Sequence, residues 1–163
     1  LAQLRKLDAI IDTLRTKKAR LKEMLHGLPH VRFRKINDEA GECATLLTLL
    51  FDMADLAERF GEQTGNKPLA HSNWHAYSNM EQLLKGTTVS ESGCSYRCPR
   101  YDGSRKYEKG MLPQTDDLLS RAVNVSMGVV DKGLGSGFGI DVHSTDEEIE
   151  EVGLKVREII SSM

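Results

Sequence analysis

The sequence HVRFRKINDEAGECATLLTLLF, residues 30–51, contains the clearest strand pattern in the chain. Val31 and Phe33 alternate with Arg32 and Arg34, which is typical of a half-buried strand with one apolar face and one solvated face. We therefore predict a strand that buries the two apolar side chains and directs the two arginines to the opposite face.

The second half of this stretch predicts the partner strand. The sequence Asn-Asp-Glu-Ala-Gly at 37–41 has turn chemistry. The mainly apolar run 43–51 that follows predicts a more deeply buried strand. Together the two strands predict an antiparallel hairpin, in which Cys43 is expected to be a small buried hydrophobic residue.

Outside the hairpin, the first segment predicts an amphipathic helix over residues 1–27, because its leucines and isoleucines recur at helical spacing. No capping residue precedes this pattern, so we expect the helix to continue upstream of Leu1. It carries seven Lys or Arg against three Asp or Glu. Two interpretations follow: a surface for an anionic partner, or an ordinary solvated helix face.

Downstream, residues 52–63 predict a helix whose core face is Met53, Leu56, Ala57 and Phe60. Residues 68–70 suggest a short strand, and a short helix follows near residues 80–84.

Further along, we predict that Thr115 caps a helix ending at Arg121 and that residues 123–130 form a strand. The last helix is expected to begin after Ser144 or Thr145 with a capping box. Arg121 is expected to be structural. Strands of a hairpin mixed with helices predict an α+β fold, an antiparallel sheet covered by helices.

Composition excludes several classes of protein. The net charge of -2 argues against a nucleic-acid binder, which usually carries a basic excess. The longest apolar run is too short to span a bilayer. Three cysteines, an odd number, do not suggest a secreted disulfide framework, so we expect a cytoplasmic protein.

The candidate binding residues are Trp74, His75 and Tyr77. A tryptophan next to a histidine and a tyrosine offers stacking surface and hydrogen-bonding groups together, as carbohydrate and cofactor sites do. The alternative is a half-buried tryptophan with satisfied neighbours.

Two other motifs are weaker. The glycine-rich residues 132–139 lack the spacing of a dinucleotide or Walker loop, which favours a flexible connection over a loop that closes on a ligand. Cys94 and Cys98 with His71 and His75 do not have the tight spacing of structural zinc, so no metal site is expected.

The order of these segments resembles the carboxy-terminal small domain of the DegT–DnrJ–StrS family of sugar aminotransferases. LAQLRKLDAII at 1–11 is similar to the helix linking the two domains of that family. LPQTDDLLSRAVNV at 112–125 resembles its short helix ending in arginine before a strand, and residues 144–160 resemble its terminal helix. Residues 69–77 fall where the family places a segment of the active site rich in His and Tyr.

The resemblance implies a linking helix over 1–27, a small domain over 28–163, and a cytoplasmic homodimeric enzyme dependent on pyridoxal 5'-phosphate. Such an enzyme moves an amino group from an amino acid, expected to be glutamate, to a keto or aldehyde sugar; one branch aminates an octulosonate at its eighth carbon for lipopolysaccharide. None of the eleven lysines has the Ser-Phe context of the family's cofactor lysine. The lysine, the cofactor and the catalytic residues are therefore expected in a part outside this sequence, and the fragment alone is expected to be inactive.

Within that interpretation, Trp74, His75 and Tyr77 are expected to face the sugar, and Arg100 to pair with a substrate carboxylate. The rival interpretations are a stand-alone module that binds a ligand or partner, and a structural dimerisation piece.

Overall fold

A computed structural model of the protein describes residues 4–73, 76–89, 96, 106–128 and 137–163. Within these ranges the fold is α+β, as the sequence predicts, with helices on an open three-stranded antiparallel sheet. The helices are α1 Leu7–Met24, α2 Ala54–Thr64, α3 Glu81–Lys85, α4 Pro113–Arg121 and α5 Asp146–Ser161. The strands are β1 Val31–Phe33, β2 Leu46–Phe51 and β3 Ala122–Ser126, and 3₁₀ turns cover Leu4–Lys6, Leu69–His71 and Tyr77–Asn79.

The predicted hairpin is confirmed, and β2 is the central strand of the sheet. β1 pairs antiparallel with β2, so that Val31 lies opposite Phe51 and Phe33 opposite Leu49. β3 pairs antiparallel with the other side of β2, where Leu47 lies opposite Val125. Since side chains alternate along a strand, this register gives the sheet two faces of different chemistry.

The inner face of the sheet is apolar and buried. Its side chains come from every second position of the strands: Val31, Phe33, Leu47, Leu49, Phe51, Val123 and Val125. Helices α1, α2 and α5 pack their apolar residues on it in one continuous core. The rings of Phe51 and Phe60 lie 5.3 Å apart at their centroids, which joins α2 to the central strand.

The outer face of the sheet carries the remaining side chains, Arg32, Leu46, Thr48, Leu50, Ala122, Asn124 and Ser126. Those from β3 are buried, whereas those from β2 are half-buried and Arg32 is exposed. The outer face is therefore covered at β3 and open at β1 and β2.

Helices α1 and α5 approach each other closely on the inner side. A Cβ atom at Gly153 of α5 would meet the thioether of Met24, so a larger residue there would require the Met24 side chain to move. The start of α5 confirms the predicted capping box: the hydroxyl of Thr145 accepts from the N–H of Glu148, whose carboxylate accepts from the N–H of Thr145.

The glycine-rich stretch ends in a structural contact. Gly139 has a φ of 142° and forms a parallel β-bridge with Ser126, where an added Cβ would collide with the backbone of β3. An antiparallel bridge between Pro68 and Val123 lies on the same strand. β2 pairs with one side of β3, and these two bridges lie on its other side, where they cover part of the otherwise unpaired edge. The rest of the glycine-rich stretch, residues 132–136, lies outside the described residues, so the expectation of a flexible connection there stays a prediction.

Two predictions about the buried residues are wrong. Cys43 is exposed, because β2 starts only at Leu46 and the chain turns at Ala44, whose φ is 54° and whose side chain is the buried one. Met53 is 54% exposed, since it occupies the N-cap of α2 in an extended conformation and does not belong to the helical face. Leu56, Ala57 and Phe60 are buried as predicted.

Several boundaries also differ. Residues 69–71 form a 3₁₀ turn where a short strand was expected, and only Pro68 bridges to the sheet. Helix α4 begins at Pro113 with Leu112 at its N-cap and no side-chain cap, because proline presets the backbone of a first helical turn. Thr115 therefore lies inside that turn. β3 ends at Ser126, four residues before the predicted end.

None of the helices in the described ranges has the length and apolar character needed to cross a membrane.

Candidate functional site

The most site-like feature of the described structure is a cleft of about 310 Å³ on the outer face of the sheet, which we call the outer-face cleft. Its walls come from the end of β1, the segment before β2, β2 itself, β3 and the turn at Leu69. The lining residues are Arg34, Glu42, Cys43, Ala44, Thr45, Leu46, Thr48, Leu69 and Asn124. Because it combines hydroxyl, amide and guanidinium groups with apolar side chains, it suits a small polar ligand.

A hydrogen bond across the sheet shapes the floor of the cleft. The hydroxyl of Thr48 donates to Oδ1 of Asn124 over 2.8 Å. Asn124 is only 8% exposed, and its backbone oxygen accepts from Nδ2 of Asn66 at 3.0 Å. The side chain of Asn124 is thus held in one orientation by its neighbour on β2, as a preformed ligand site requires.

The described residues 66–73 and 76–79 include Leu69, which lines the cleft, and two asparagine side chains hold these residues in place. Asn66 is 5% exposed; its Oδ1 accepts from the N–H of Phe138 at 2.9 Å while its Nδ2 bonds to β3. Nδ2 of Asn79 donates to the carbonyl of Ala70 at 2.9 Å. Satisfied buried amides of this kind fix a loop in one conformation.

Tyr77 is the one predicted site residue that the structure describes. Its hydroxyl donates to Oδ2 of Asp116 at 2.8 Å and accepts from the N–H groups of Gly110 and Leu112 at 3.1 and 3.2 Å. One donor and two acceptor positions are the full capacity of a phenol. The hydroxyl therefore ties the start of α4 to the 3₁₀ turn Tyr77–Asn79, and any contact with a ligand would come from its ring.

The other predicted site residues, Trp74, His75 and Arg100, lie outside the described residues. Their contact with a sugar stays a prediction, as does that of Tyr77. Three of the four candidate zinc ligands, His75, Cys94 and Cys98, lie outside the described residues. The described part of the chain contains no group of three side chains that could hold a metal ion.

A second open groove, of about 480 Å³, lies between α2 and the turn that follows it. His71 and Glu58 border it, with His71 Nε2 and Glu58 Oε1 separated by 2.9 Å. Their side chains are 60% and 49% exposed, so the pair is solvated and typical of a surface contact. This groove lacks the preformed floor of the outer-face cleft.

The basic residues of α1 are largely engaged within the domain. The ammonium of Lys17 donates to the carbonyls of Asp141, Val142 and Ser144 over 3.1, 2.8 and 2.6 Å. Lys18, only 4% exposed, pairs with Glu42 at 2.6 Å. Both interpretations made from the sequence, an anion-binding surface and a solvated face, are therefore wrong for these two lysines.

The predicted structural role of Arg121 is confirmed. Its Nη1 donates to the carbonyl of Phe51 at 3.0 Å, and its Nη2 pairs with Oδ2 of Asp117 at 2.6 Å. The hydrogen bond from Arg121 lowers the pKa of the Asp117 carboxyl, with the guanidinium charge acting in the same direction. Reciprocally, the hydrogen bond to Asp117 raises the pKa of Arg121.

Pyridoxal phosphate requires a lysine positioned to make a Schiff base. Seven of the ten described lysines are exposed. The other three are held by carbonyl or carboxylate groups: Lys17, Lys18 and Lys22.

The roles of Asn66 and Lys17 cannot be predicted from local patterns, because their partners lie 58 and 124 or more residues away. Arg34 was visible on the strand face opposite the core, and a polar Asn124 within an apolar strand is a signal that sequence reasoning passed over. A scan against models of known protein families matched none of them.

Proposed function

We propose that this chain is the small domain of a pyridoxal-phosphate-dependent sugar aminotransferase and forms one wall of its substrate pocket. The observation that supports this most is the asymmetry of the sheet: its inner face is packed under three helices, while its outer face keeps a preformed cleft that Leu69 also lines. A domain that completes the pocket of another domain needs such an open, polar face.

In this proposal the present chain and the rest of the enzyme have different roles. The cofactor, its lysine and the proton-transfer groups belong to a part of the enzyme outside these 163 residues. The present chain binds and orients the sugar through the outer-face cleft and the residues Trp74, His75 and Tyr77. The substrates are an amino-acid donor, glutamate in the simplest case, and a keto or aldehyde sugar, with an octulosonate as one candidate. The enzyme is a cytoplasmic homodimer.

The test uses the complete protein that contains this chain. We expect a visible pyridoxal absorbance that borohydride removes, with the reduced cofactor attached to a lysine outside residues 1–163 when peptides are mapped by mass spectrometry. With ¹⁵N-labelled glutamate, the label should pass to a keto sugar. A protein that holds no pyridoxal and transfers no label would overturn the proposal.

A second function, a stand-alone module that binds a small ligand, is favoured by one observation. The floor of the outer-face cleft is already preformed by the hydrogen bond between Thr48 and Asn124. Ligand binding by the complete protein without any amino transfer would select this alternative.

A further inference from the structure

Arg34 is placed to anchor an anion at the outer-face cleft. It follows directly after β1, and its backbone N–H donates to the carbonyl of Thr48 at 3.1 Å, so that its backbone is fixed beside the cleft that it lines. Its guanidinium has no hydrogen-bond or ion-pair partner among the described residues. By contrast, Arg20 and Arg121 both pair with carboxylates. A planar guanidinium with free N–H groups matches the two oxygens of a carboxylate.

A second donor faces the same space. Oδ1 of Asn124 is occupied by the hydroxyl of Thr48, which leaves Nδ2 of Asn124 as the outward group of that amide. No described residue accepts a hydrogen bond from this Nδ2. Since no fully buried side-chain nitrogen or oxygen in the described ranges lacks a partner, Nδ2 has access to the cleft. An amide N–H₂ held in place is a donor that suits a carboxylate or hydroxyl oxygen.

The one carboxylate that lines the cleft is already neutralised. Glu42 pairs with Lys18 at 2.6 Å, and the lysine side chain is 5% exposed. The backbone oxygen of Glu42 also accepts from Nε of Arg15 at 2.9 Å. The negative charge of Glu42 is therefore balanced from behind, and the charge that remains without a partner at the cleft is the positive charge of Arg34.

From these contacts we infer that the outer-face cleft binds the carboxylate of a small organic acid, with Arg34 as its charged anchor and Nδ2 of Asn124 as a second donor. The volume of about 310 Å³ suits a molecule of a few carbon atoms. The carboxylate has two possible sources, an acidic sugar or an amino or keto acid. The choice between these two sources rests on the proposed function, whereas the inference that the cleft binds a carboxylate does not.

The experiment is an NMR titration of the protein with ¹⁵N-labelled arginine and asparagine side chains. The probes are gluconate as a sugar acid, 2-oxoglutarate as a keto acid, and glucose as an uncharged sugar. We expect saturable shifts of the Arg34 Nε–H and the Asn124 side-chain amide with at least one of the acids, and none with glucose. Binding of gluconate alone points to the sugar acid, and binding of 2-oxoglutarate alone points to the amino-acid side of the reaction.

Matched variants separate a specific site from a general charge effect. Arg34→Gln should weaken acid binding by about tenfold or more, as loss of a charged hydrogen-bonded anchor does, and Arg34→Lys should recover part of it. Arg32→Gln removes the same charge two residues away, from a side chain that does not line the cleft, and should change binding less than about twofold.

Two results would overturn the inference: no saturable shift at Arg34 or Asn124 in the unmodified protein with either acid, or equal weakening by Arg32→Gln and Arg34→Gln. The first of these results is measured on the unmodified protein, so it can overturn the inference even if a variant fails to fold. Acid binding without amino transfer would overturn only the aminotransferase proposal, and amino transfer without acid binding at Arg34 would overturn only this site.

Discussion

The inner and outer faces of one three-stranded sheet serve different purposes. On the inner face, Leu49 is fully buried among residues of α1, α2 and α5. On the outer face, its neighbour Leu50 is half-buried, and Thr48 forms a polar contact with Asn124 beside an open cleft. The same strand therefore contributes alternately to stability and to a candidate binding surface.

This difference shows where substitutions should affect the fold and where they should affect a ligand. The inner face holds its residues by close packing, which does not tolerate lost volume. On the outer face, Asn124 is held by individual hydrogen bonds, to Thr48 through its side chain and to Asn66 through its backbone, each of which fixes one group. Substitutions can separate the two contributions.

The largest effect is expected from shortening side chains on the inner face. Leu49→Ala should lower the free energy of unfolding by about 3 kcal/mol, because it removes buried methyl groups and leaves a cavity. Leu50→Ala, one residue later on the outer face, should cost less than half as much, since Leu50 is already partly solvated. Urea unfolding of the two variants measures the difference. Equal losses would contradict the assignment of two distinct faces.

Next in size is the ion pair behind the cleft. Glu42→Gln should lower the free energy of unfolding by about 2–3 kcal/mol, because it leaves the ammonium of Lys18 buried without its counter-charge. Lys18→Met should cost less, because methionine fills the buried space and the remaining carboxylate is the more exposed partner, at 19%. Urea unfolding of both variants gives the order. A larger loss from Lys18→Met would show that the lysine contributes mainly by its contacts and not by its charge.

The adjacent residue Lys17 joins α1 to the loop that precedes α5. Lys17→Met should lower the free energy of unfolding by about 1–2 kcal/mol, because three carbonyl oxygens lose a charged donor. Methylammonium carries three N–H donors and should restore part of the loss when added to a Lys17→Ala variant. Trimethylammonium carries only one N–H donor and should not. Thermal unfolding with both amines measures this. Identical effects of both would indicate a general salt effect and not occupation of the carbonyl site.

These contrasts also show what sequence reasoning can and cannot reach. The hairpin, the α+β class and the capping box at Thr145 follow from local patterns, and all three are confirmed. The prediction that Cys43 is buried is wrong because an apolar run does not reveal that the chain turns at Ala44 with a positive φ. Met53 was wrongly placed on the helical face because a periodic pattern does not mark where the helix begins.

The candidate site was harder to predict for a different reason. The cleft joins Arg34 to Asn124, which are brought together only when β1 and β3 pair with opposite sides of β2. Likewise, the partners of the Tyr77 hydroxyl lie 33 to 39 residues away in sequence. The residue types near residues 69–77 suggest polar binding chemistry. Which hydrogen-bond donors meet at a site, and which of them lack a partner, depends on tertiary contacts that no local pattern encodes.

The smallest expected effect concerns the pair of Arg121 and Asp117 on α4, and it depends on pH. Because Arg121 lowers the pKa of Asp117 in the folded protein, the pair stabilises the fold above the ordinary carboxyl range, and this contribution is lost as the pH falls through the lowered pKa. Asp117→Asn should therefore reduce Tm slightly at neutral pH, by less than any substitution above, since Asp117 is 62% exposed.

The difference in Tm between this variant and the unmodified protein should disappear in acid, where the carboxyl is protonated in both states. Glu62→Gln is the control, since it removes an exposed α2 carboxylate that has no ion-pair partner among the described residues, and it should leave Tm unchanged at every pH. A Tm difference for Asp117→Asn that stayed constant down to strongly acidic pH would show that the side chain contributes by hydrogen bonding alone. The contacts of Arg121 with Phe51 and Asp117 would then be independent, and α4 would be held to β2 by the carbonyl contact without help from the charge.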